Sequence, residues 1–194
     1  MAGVSVLVIS DSHGHVPALA AALGWVRGGG KNSVPPPPAF AGAIFLGDGA
    51  PDLSPASAEA GFTLPWYRVR GNGDLDFSIP DTLVLEIPGT GRRLFLAHGN
   101  RHGVETGSAA ITAAARAAGA EAALFGHTHV PAYDDRGDIL ILNPGSIGRP
   151  RSRTGPSFAV LNCSPSEPLT ARFFCLYAKG RETGVRELEW PRSR

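Results

Sequence analysis

Two cysteines in 194 residues are too few for a disulfide-built scaffold. Both sit on the apolar phase of alternating patterns (Ala159, Leu161, Cys163 and Phe173, Cys175), so buried free thiols are expected, with neither a bridge nor metal ligation. An excess of one charge is also missing. The 18 Lys and Arg against 17 Asp and Glu leave a formal net charge of +1, which disfavours a nucleic-acid or membrane-surface partner. No apolar run approaches the roughly 20 residues of a membrane helix. The N-terminal run Val4 to Ile9 has no basic flank and leads straight to Asp11, so it does not read as a secretion signal, and a cytoplasmic location is expected. What remains is a chain with 43% hydrophobic residues, long enough for one sizeable core. A single domain over residues 1–194 is expected.

The apolar runs alternate with helical patterns in the first half. Val4 to Ser10 reads as a strand buried on both faces, because it is apolar and β-branched without alternation. Val16 to Arg27 reads as a helix, with Pro17 in its first turn and Gly28-Gly29-Gly30 at its end. Pro35 to Pro38 can continue neither helix nor central strand and is expected to be an extended connector. Strands follow at Gly42 to Leu46 and Trp66 to Arg70, with a short helix near Ala56 to Ala60 between them. This order predicts a parallel sheet with right-handed crossovers. The second half predicts a hairpin (Thr82 to Ile87, Arg92 to Ala97), an alanine-rich helix (Ala109 to Ala118) stopped by Gly119, and a strand from Ala122 to Phe125. A second hairpin (Val130 to Tyr133, Ile139 to Leu142) comes next, and Ser157 to Cys163 with Leu169 to Tyr177 are expected to complete a second sheet. The tail after Gly180 reads as a frayed end or an edge strand.

The strands end abruptly in polar residues. Asp11-Ser12-His13 follows the first, Gly47-Asp48 the second, Gly71-Asn72-Gly73-Asp74 the third, His98-Gly99-Asn100 the fifth and Gly126-His127-Thr128-His129 the sixth. In an extended strand end, residues i and i+2 face the same side, so His127 and His129 are expected to share one pocket, with Gly126 giving the backbone room. A lone His-x-His could equally be a hydrogen-bonded surface pair. The whole set is two carboxylates (Asp11, Asp48), one amide (Asn72) and four imidazoles (His13, His98, His127, His129), with no thiolate. Such a mixture suits borderline divalent transition metals better than magnesium, calcium or structural zinc. Seven ligands exceed one tetrahedral ion and suit two ions sharing a carboxylate.

These ordered motifs resemble the calcineurin-like metallophosphoesterase superfamily, and the short length together with Asn143-Pro144-Gly145-Ser146 is similar to its small prokaryotic phosphodiesterase branch. The resemblance implies an α/β fold, a four-layer α/β/β/α sandwich of two mixed sheets flanked by helices. It also implies a metal-dependent phosphodiesterase in which a hydroxide bridging two divalent metals attacks the phosphorus. Carried across, Asp11, His13, Asp48 and His129 would hold one ion, and Asp48, Asn72, His98 and His127 the other, with Asp48 as the bridge. Manganese is the first expectation; iron, nickel, cobalt and zinc stay open. Asn72 would also meet charge on the phosphoryl oxygens, and Asp74 either orients a neighbour or merely stabilises its own turn.

Two positions depart from the pattern. Gly73 stands where many relatives carry a histidine that helps the leaving group depart, and Asn100 where close relatives often have histidine. His102 and Arg149 are then candidates for substrate contact alongside Asn72 and Asn100, although His102 could be simply exposed and Arg149 part of a solvated basic loop with Arg151 and Arg153. A small phosphodiester is the expected substrate, with homo-oligomerisation left open. Two other functions remain on the table: a non-catalytic scaffold, as in the retromer subunit with this fold, and a metal-dependent nucleotide-binding regulatory module.

Overall fold

The computed structural model describes residues 3–28, 33–179 and 182–189. Strands β1 (Val4–Ile9), β2 (Phe40–Phe45) and β3 (Trp66–Arg68) lie side by side and parallel, linked by helices α1 (Val16–Val26) and α2 (Leu53–Ala60). Of the glycines expected to end α1, Gly28 turns with φ +85°, while Gly29 and Gly30 fall outside the described residues. The proline run at 35–38 is neither helix nor strand. The second sheet contains β4 (Thr82–Glu86), β5 (Arg93–Ala97), β6 (Ala122–Leu124), β7 (Ala132–Asp134) and β8 (Leu140–Asn143) in the order β4-β5-β6-β8-β7. Its three central strands run parallel. Helix α3 (Ala109–Ala117) supplies the crossover from β5 to β6.

One expectation about sheet membership is corrected. Strands β9 (Ser157–Cys163) and β10 (Thr170–Lys179) do not complete the second sheet. Strand β9 pairs antiparallel with β1, Val4 opposite Cys163 through Val8 opposite Ala159, and β10 pairs with β9. Strand β11 (Glu182–Glu187) forms the edge, so the first sheet reads β11-β10-β9-β1-β2-β3. The reason is burial: β1 is apolar on both faces and must be flanked on both edges, and β9 covers the edge that β2 leaves free.

Side-chain alternation then builds the layers. Val6 and Val8 of β1, Leu94 and Leu96 of β5, Ala122 and Leu124 of β6, and Ala159, Leu161 and Cys163 of β9 meet between the sheets. The opposite faces of the first sheet (Leu7, Ile9, Phe45, Phe158, Val160) pack on Leu19, Leu23 and Trp25 of α1 and on Leu53 and Ala56 of α2. On the far side of the second sheet, Phe95, Ala123 and Ile141 pack on Ile111 and Ala115 of α3. Three apolar interfaces between four layers give the α/β/β/α sandwich.

Both cysteines are buried and free. Burial pushes the Cys163 thiol up to about 12. A thiol whose value is raised above the unfolded one, about 8.5, adds stability below that pH and loses it as pH climbs toward 12. Because both side chains are buried, native protein is expected to leave both thiols unreacted with a chromogenic disulfide at about pH 8. Two thiols per chain should react in denaturant, and rapid native reaction would contradict this placement.

Candidate metal centre

The parallel strands of both sheets end at one cleft, the place where an open α/β sheet presents its loops. Each loop arrives in an unusual conformation. Six non-glycine residues have positive φ among the described residues, and five of them are candidate ligands: Asp11 (+56°), His13 (+45°), Asp48 (+59°), His127 (+66°) and His129 (+60°). Such conformations cost roughly 1–3 kcal/mol each and persist where surrounding structure enforces them for a use. His127 and His129 thus reach the cleft through left-handed turns, and the expectation of an extended strand end is corrected. Gly126 also has a different task from the one anticipated. Its φ is not positive, but a Cβ there would overlap the Ser10 hydroxyl and the Asp11 carboxylate, so it is the close approach of two loops that requires glycine.

Hydrogen bonds fix which ring nitrogen each imidazole offers. The Nδ1 of His98 lies 2.7 Å from the carbonyl of Leu46, and the Nδ1 of His129 lies 2.7 Å from the carbonyl of Arg149. A carbonyl only accepts, so each Nδ1 carries the proton and each Nε2 presents a lone pair. On His127 the roles are reversed: Nε2 lies 2.5 Å from Glu105 Oε1, leaving Nδ1 free at 3.3 Å from His98 Nε2. His129 Nε2 faces His13 Nε2 at 3.1 Å. The His98 and His127 lone pairs point at one another, which is unfavourable unless a cation lies between them.

The carboxylates repeat the pattern. Asp11 Oδ2 accepts the Ser10 hydroxyl at 2.5 Å and the His127 amide at 3.1 Å. Its other oxygen, Oδ1, is buried without a hydrogen-bond partner, 3.1 Å from His129 Nε2 and 3.7 Å from His13 Nε2. An orphaned anionic oxygen beside lone pairs fits a bound cation. Asp48 Oδ1 accepts the Gly73 amide at 2.6 Å, while Oδ2 lies 3.5 Å from His98 Nε2 and 3.8 Å from His13 Nε2. Asp11, His13 and His129 place their ligand atoms within 4.8 Å of one another, and so do Asp11, Asp48 and His98. Either group could hold a divalent metal ion; the two share Asp11, and neither includes Asn72 or His127.

The buried carboxylates and imidazoles shift one another in different directions. Burial alone would raise Asp48, but the His98 hydrogen bond and charge, the Gly73 amide and His13 bring it down to about 2. Burial likewise acts to lower His98, and the Asp48 hydrogen bond with the charges of Asp11 and Asp48 outweighs it, leaving His98 raised. For His13, burial prevails over the same two carboxylates and the value is lowered, which favours the neutral imidazole a metal needs.

The remaining candidates separate. Asn72 is exposed and lines a cavity of about 420 Å³ together with His127, His129, Arg149 and Arg151. Asp74 is buried, and its carboxylate accepts the amides of Asp48, Gly49, Ala50 and Gly71, each at 2.9 Å, so it positions the Asp48 loop. Asn100 opens a short helical turn that ends at His102. His102 packs edge-on to Phe95 of the helix-covered face and does not line the cavity; burial lowers its value.

Of the residues that support the ligands, Asp52 and Glu105 had no signal in the sequence, whereas Asn143 and Ser146 lie in the Asn143-Pro144-Gly145-Ser146 stretch noted there. Asp52 Oδ2 accepts the Ser12 hydroxyl (2.6 Å) and the Gly14 amide (2.8 Å), clamping the loop that carries His13. Asn143 donates to the Gly126 carbonyl (2.8 Å) and the Thr128 hydroxyl (3.0 Å), and Ser146 donates to the Asp11 carbonyl (2.8 Å). Glu105 completes a carboxylate–histidine pair, and its own amide together with His127 lowers its carboxyl. Substituting Glu105→Ala is expected to weaken metal binding through His127 about 10- to 100-fold. Competition with a coloured chelator would show it, and an unchanged affinity would remove Glu105 from this role.

Residues 4–166 match the family model described as the calcineurin-like phosphoesterase superfamily domain. A probable metallophosphoesterase of Bacillus subtilis, YsnB, is 32% identical over 57% of this chain and 63% of its own length. The phosphodiesterase YfcE of Escherichia coli K12 is 32% identical over 48% of this chain and 50% of its own. The chain therefore spans between half and two thirds of these curated relatives. A crystal structure of a conserved, uncharacterized Streptococcus pneumoniae protein described as a predicted phosphoesterase superposes with a TM-score of 0.70 at 23% identity, covering 97% of this chain and 99% of that one. Vacuolar protein sorting 29 from Cryptosporidium parvum superposes at 0.65 with 18% identity, covering 97% and 98%. At these identities the superpositions speak for the fold alone.

Proposed function

The chain belongs to the calcineurin-like phosphoesterase superfamily, and from that premise we propose that it is a cytoplasmic phosphodiesterase hydrolysing a small phosphodiester at a centre of two divalent metals, manganese first among them. The observation that carries this reading is the meeting of fixed imidazole lone pairs with the orphaned Asp11 Oδ1 in one cleft. In it, Asp11, His13, Asp48 and His129 hold one ion, and Asp48, Asn72, His98 and His127 the other. Asp48 Oδ2 lies near one imidazole of each set, as a shared carboxylate must. When bound, such ions supply an activated water near neutral pH and neutralise charge on the phosphoryl oxygens.

The chain's own groups do the rest. Leu46, Glu105 and Arg149 hold the imidazole tautomers, Asp74 holds the Asp48 loop, and Asn72 with Arg149 and Arg151 lines the side where a phosphate's oxygens would lie. The scaffold reading gains nothing from the ligand set, since none of the seven positions is substituted.

Among the described residues, the histidines lining this cavity or its neighbour across His13 and Asp48 are His13, His127 and His129, all ligands in this reading. No separate imidazole is left to protonate a leaving group, so the rate depends on leaving-group acidity. Protein loaded with manganese is expected to carry about two ions per chain, to cleave bis(p-nitrophenyl) phosphate, and to cleave alkyl diesters at least about 10²-fold more slowly. Absence of turnover from protein carrying two ions would overturn the reading. Equal single-turnover rates for aryl and alkyl diesters would require an unrecognised acid.

A further inference from the structure

We propose that a second cavity, adjoining the metal cleft, receives an uncharged aromatic or apolar arm of the phosphodiester, of about nucleoside size, and that Leu75 is its specificity-determining contact. The inference rests on the phosphodiesterase reading and names the kind of diester it takes. The cavity holds about 500 Å³, within the range of small-molecule sites, and His13 and Asp48 form one of its walls. A group lodged there is therefore next to the reacting phosphorus. Pro51, Leu53, Leu75 and Ile79 supply apolar surface.

The charge around it selects against a second phosphate. Arg68 is the one cationic side chain of known charge in the lining, against the carboxylates of Asp48, Asp52, Asp74 and Asp76. Three of these already accept donors from the chain: Asp52 from Ser12 and Gly14, Asp74 from four amides, and Asp76 from Ser78 at 2.6 Å. They are poorly placed to reward a polar ligand and would repel an anionic one. The neighbouring cavity has the opposite character, with Arg149 and Arg151 beside His127 and His129. The metal cleft thus separates a cationic side suited to the phosphate from an apolar side suited to its substituent.

Leu75 is held where such a substituent would meet it. It is 84% exposed, and Phe77 77%, two of the four large apolar side chains left exposed among the described residues. Their loop is pinned at both ends. Asp74 binds four amides at one end; at the other the Arg70 amide donates to the Pro80 carbonyl at 2.8 Å, and the Arg70 guanidinium covers the Phe77 ring at 4.5 Å while pairing with Asp81 at 2.5 Å. An exposed leucine on a fixed loop beside a reaction centre has apolar area to offer a ligand.

The test uses metal-loaded full-length protein with Leu75→Ala and Leu75→Glu, substitutions at a position too exposed to unfold it. Bis(p-nitrophenyl) phosphate probes the arm, and inorganic phosphate, which has none, probes the metal cleft alone. The KM for the diester is expected to rise about tenfold in Leu75→Glu and less in Leu75→Ala, with metal content and the inhibition constant of phosphate unchanged. An unchanged KM in both variants, or a phosphate constant rising in step with KM, overturns the inference while the phosphodiesterase reading stands. A wild-type protein that turns over no diester with two ions bound overturns both.

Discussion

Asp48→Asn is expected to lower kcat/KM by at least about 10³-fold, about 4 kcal/mol of transition-state stabilisation, and to reduce the bound metal from two ions per chain to one or none. The substitution keeps the size of the side chain and changes its chemistry at both oxygens. Oδ1 must still accept the Gly73 amide, 2.6 Å away, so the carbonyl oxygen of the new amide turns that way. Its NH₂ group then points at His98 and His13, whose nitrogens lie 3.5 and 3.8 Å from the present Oδ2. In the proposed two-metal centre a donor then replaces the shared anionic ligand, and one negative charge no longer offsets two dications. In the wild type this charge is secure, because the carboxyl is held at about 2 and stays ionised across the working pH range. Without metal a smaller loss remains, because a carboxyl held at about 2 by His98, the Gly73 amide and His13 contributes stability above its ordinary value and loses it only as pH falls toward 2. The chelated variant should therefore melt somewhat lower than chelated wild type, and the further increase in melting temperature that wild type gains from metal should disappear. A variant that keeps two ions and near-normal turnover would contradict the shared-ligand role.

The strand ends were legible in the sequence because each apolar run stops abruptly at Gly, Asp, Asn or His, and loops at the ends of parallel strands are where an α/β fold gathers chemistry. Periodicity, however, reports that a segment is a strand without naming its neighbour. Strand β9 is recognisable as a strand, but both its faces are buried, and only the edge of β1 that β2 leaves free assigns it to the first sheet. The ligands were legible as residue types but their backbone was not, since positive φ is uncommon even for aspartate and histidine, which adopt it more readily than most residues, and nothing local announces it. Glu105 and Asp52 were invisible for another reason: each is a lone acidic residue on a loop, and its partner lies 22 or 38 to 40 residues away in the chain. Gly73 could be judged only in part. The expectation of a histidine-poor leaving-group side was readable, but the backbone there is not left-handed, and the real obstacle to a side chain is Asp48 Oδ1, 3.2 Å from where a Cβ would lie.

Asp74 was open to two readings, a residue that stabilises its own turn or one that organises a neighbouring loop, and the four amides on its carboxylate decide for the second while giving a large expected effect. A turn-stabilising aspartate uses one oxygen and is replaced by asparagine at little cost. Here both oxygens are occupied, Oδ2 by the amides of Asp48 and Gly71 and Oδ1 by those of Gly49 and Ala50. Asparagine can serve one pair only, and its NH₂ would be forced against the two donors of the other. Asp74→Asn is therefore expected to be about as harmful as Asp74→Ala. Hydrogen bonds to a charged acceptor contribute roughly 1.5–3 kcal/mol each, but the four are not additive, and the adjoining cavity lets water reach some of the released amides. A loss of about 2–4 kcal/mol follows, a large share of the 5–15 kcal/mol that holds an ordinary domain together. For a chain of this size the melting temperature should fall by roughly 4–16 °C, in chelator as well as with metal, because the amides lose their acceptor in either state. Metal affinity should fall too, since the Asp48 loop would no longer be held in its left-handed conformation. If Asp74→Asn melted like wild type while Asp74→Ala did not, the single-oxygen turn would be the correct account and Asp48 would owe its position to the Gly73 amide alone.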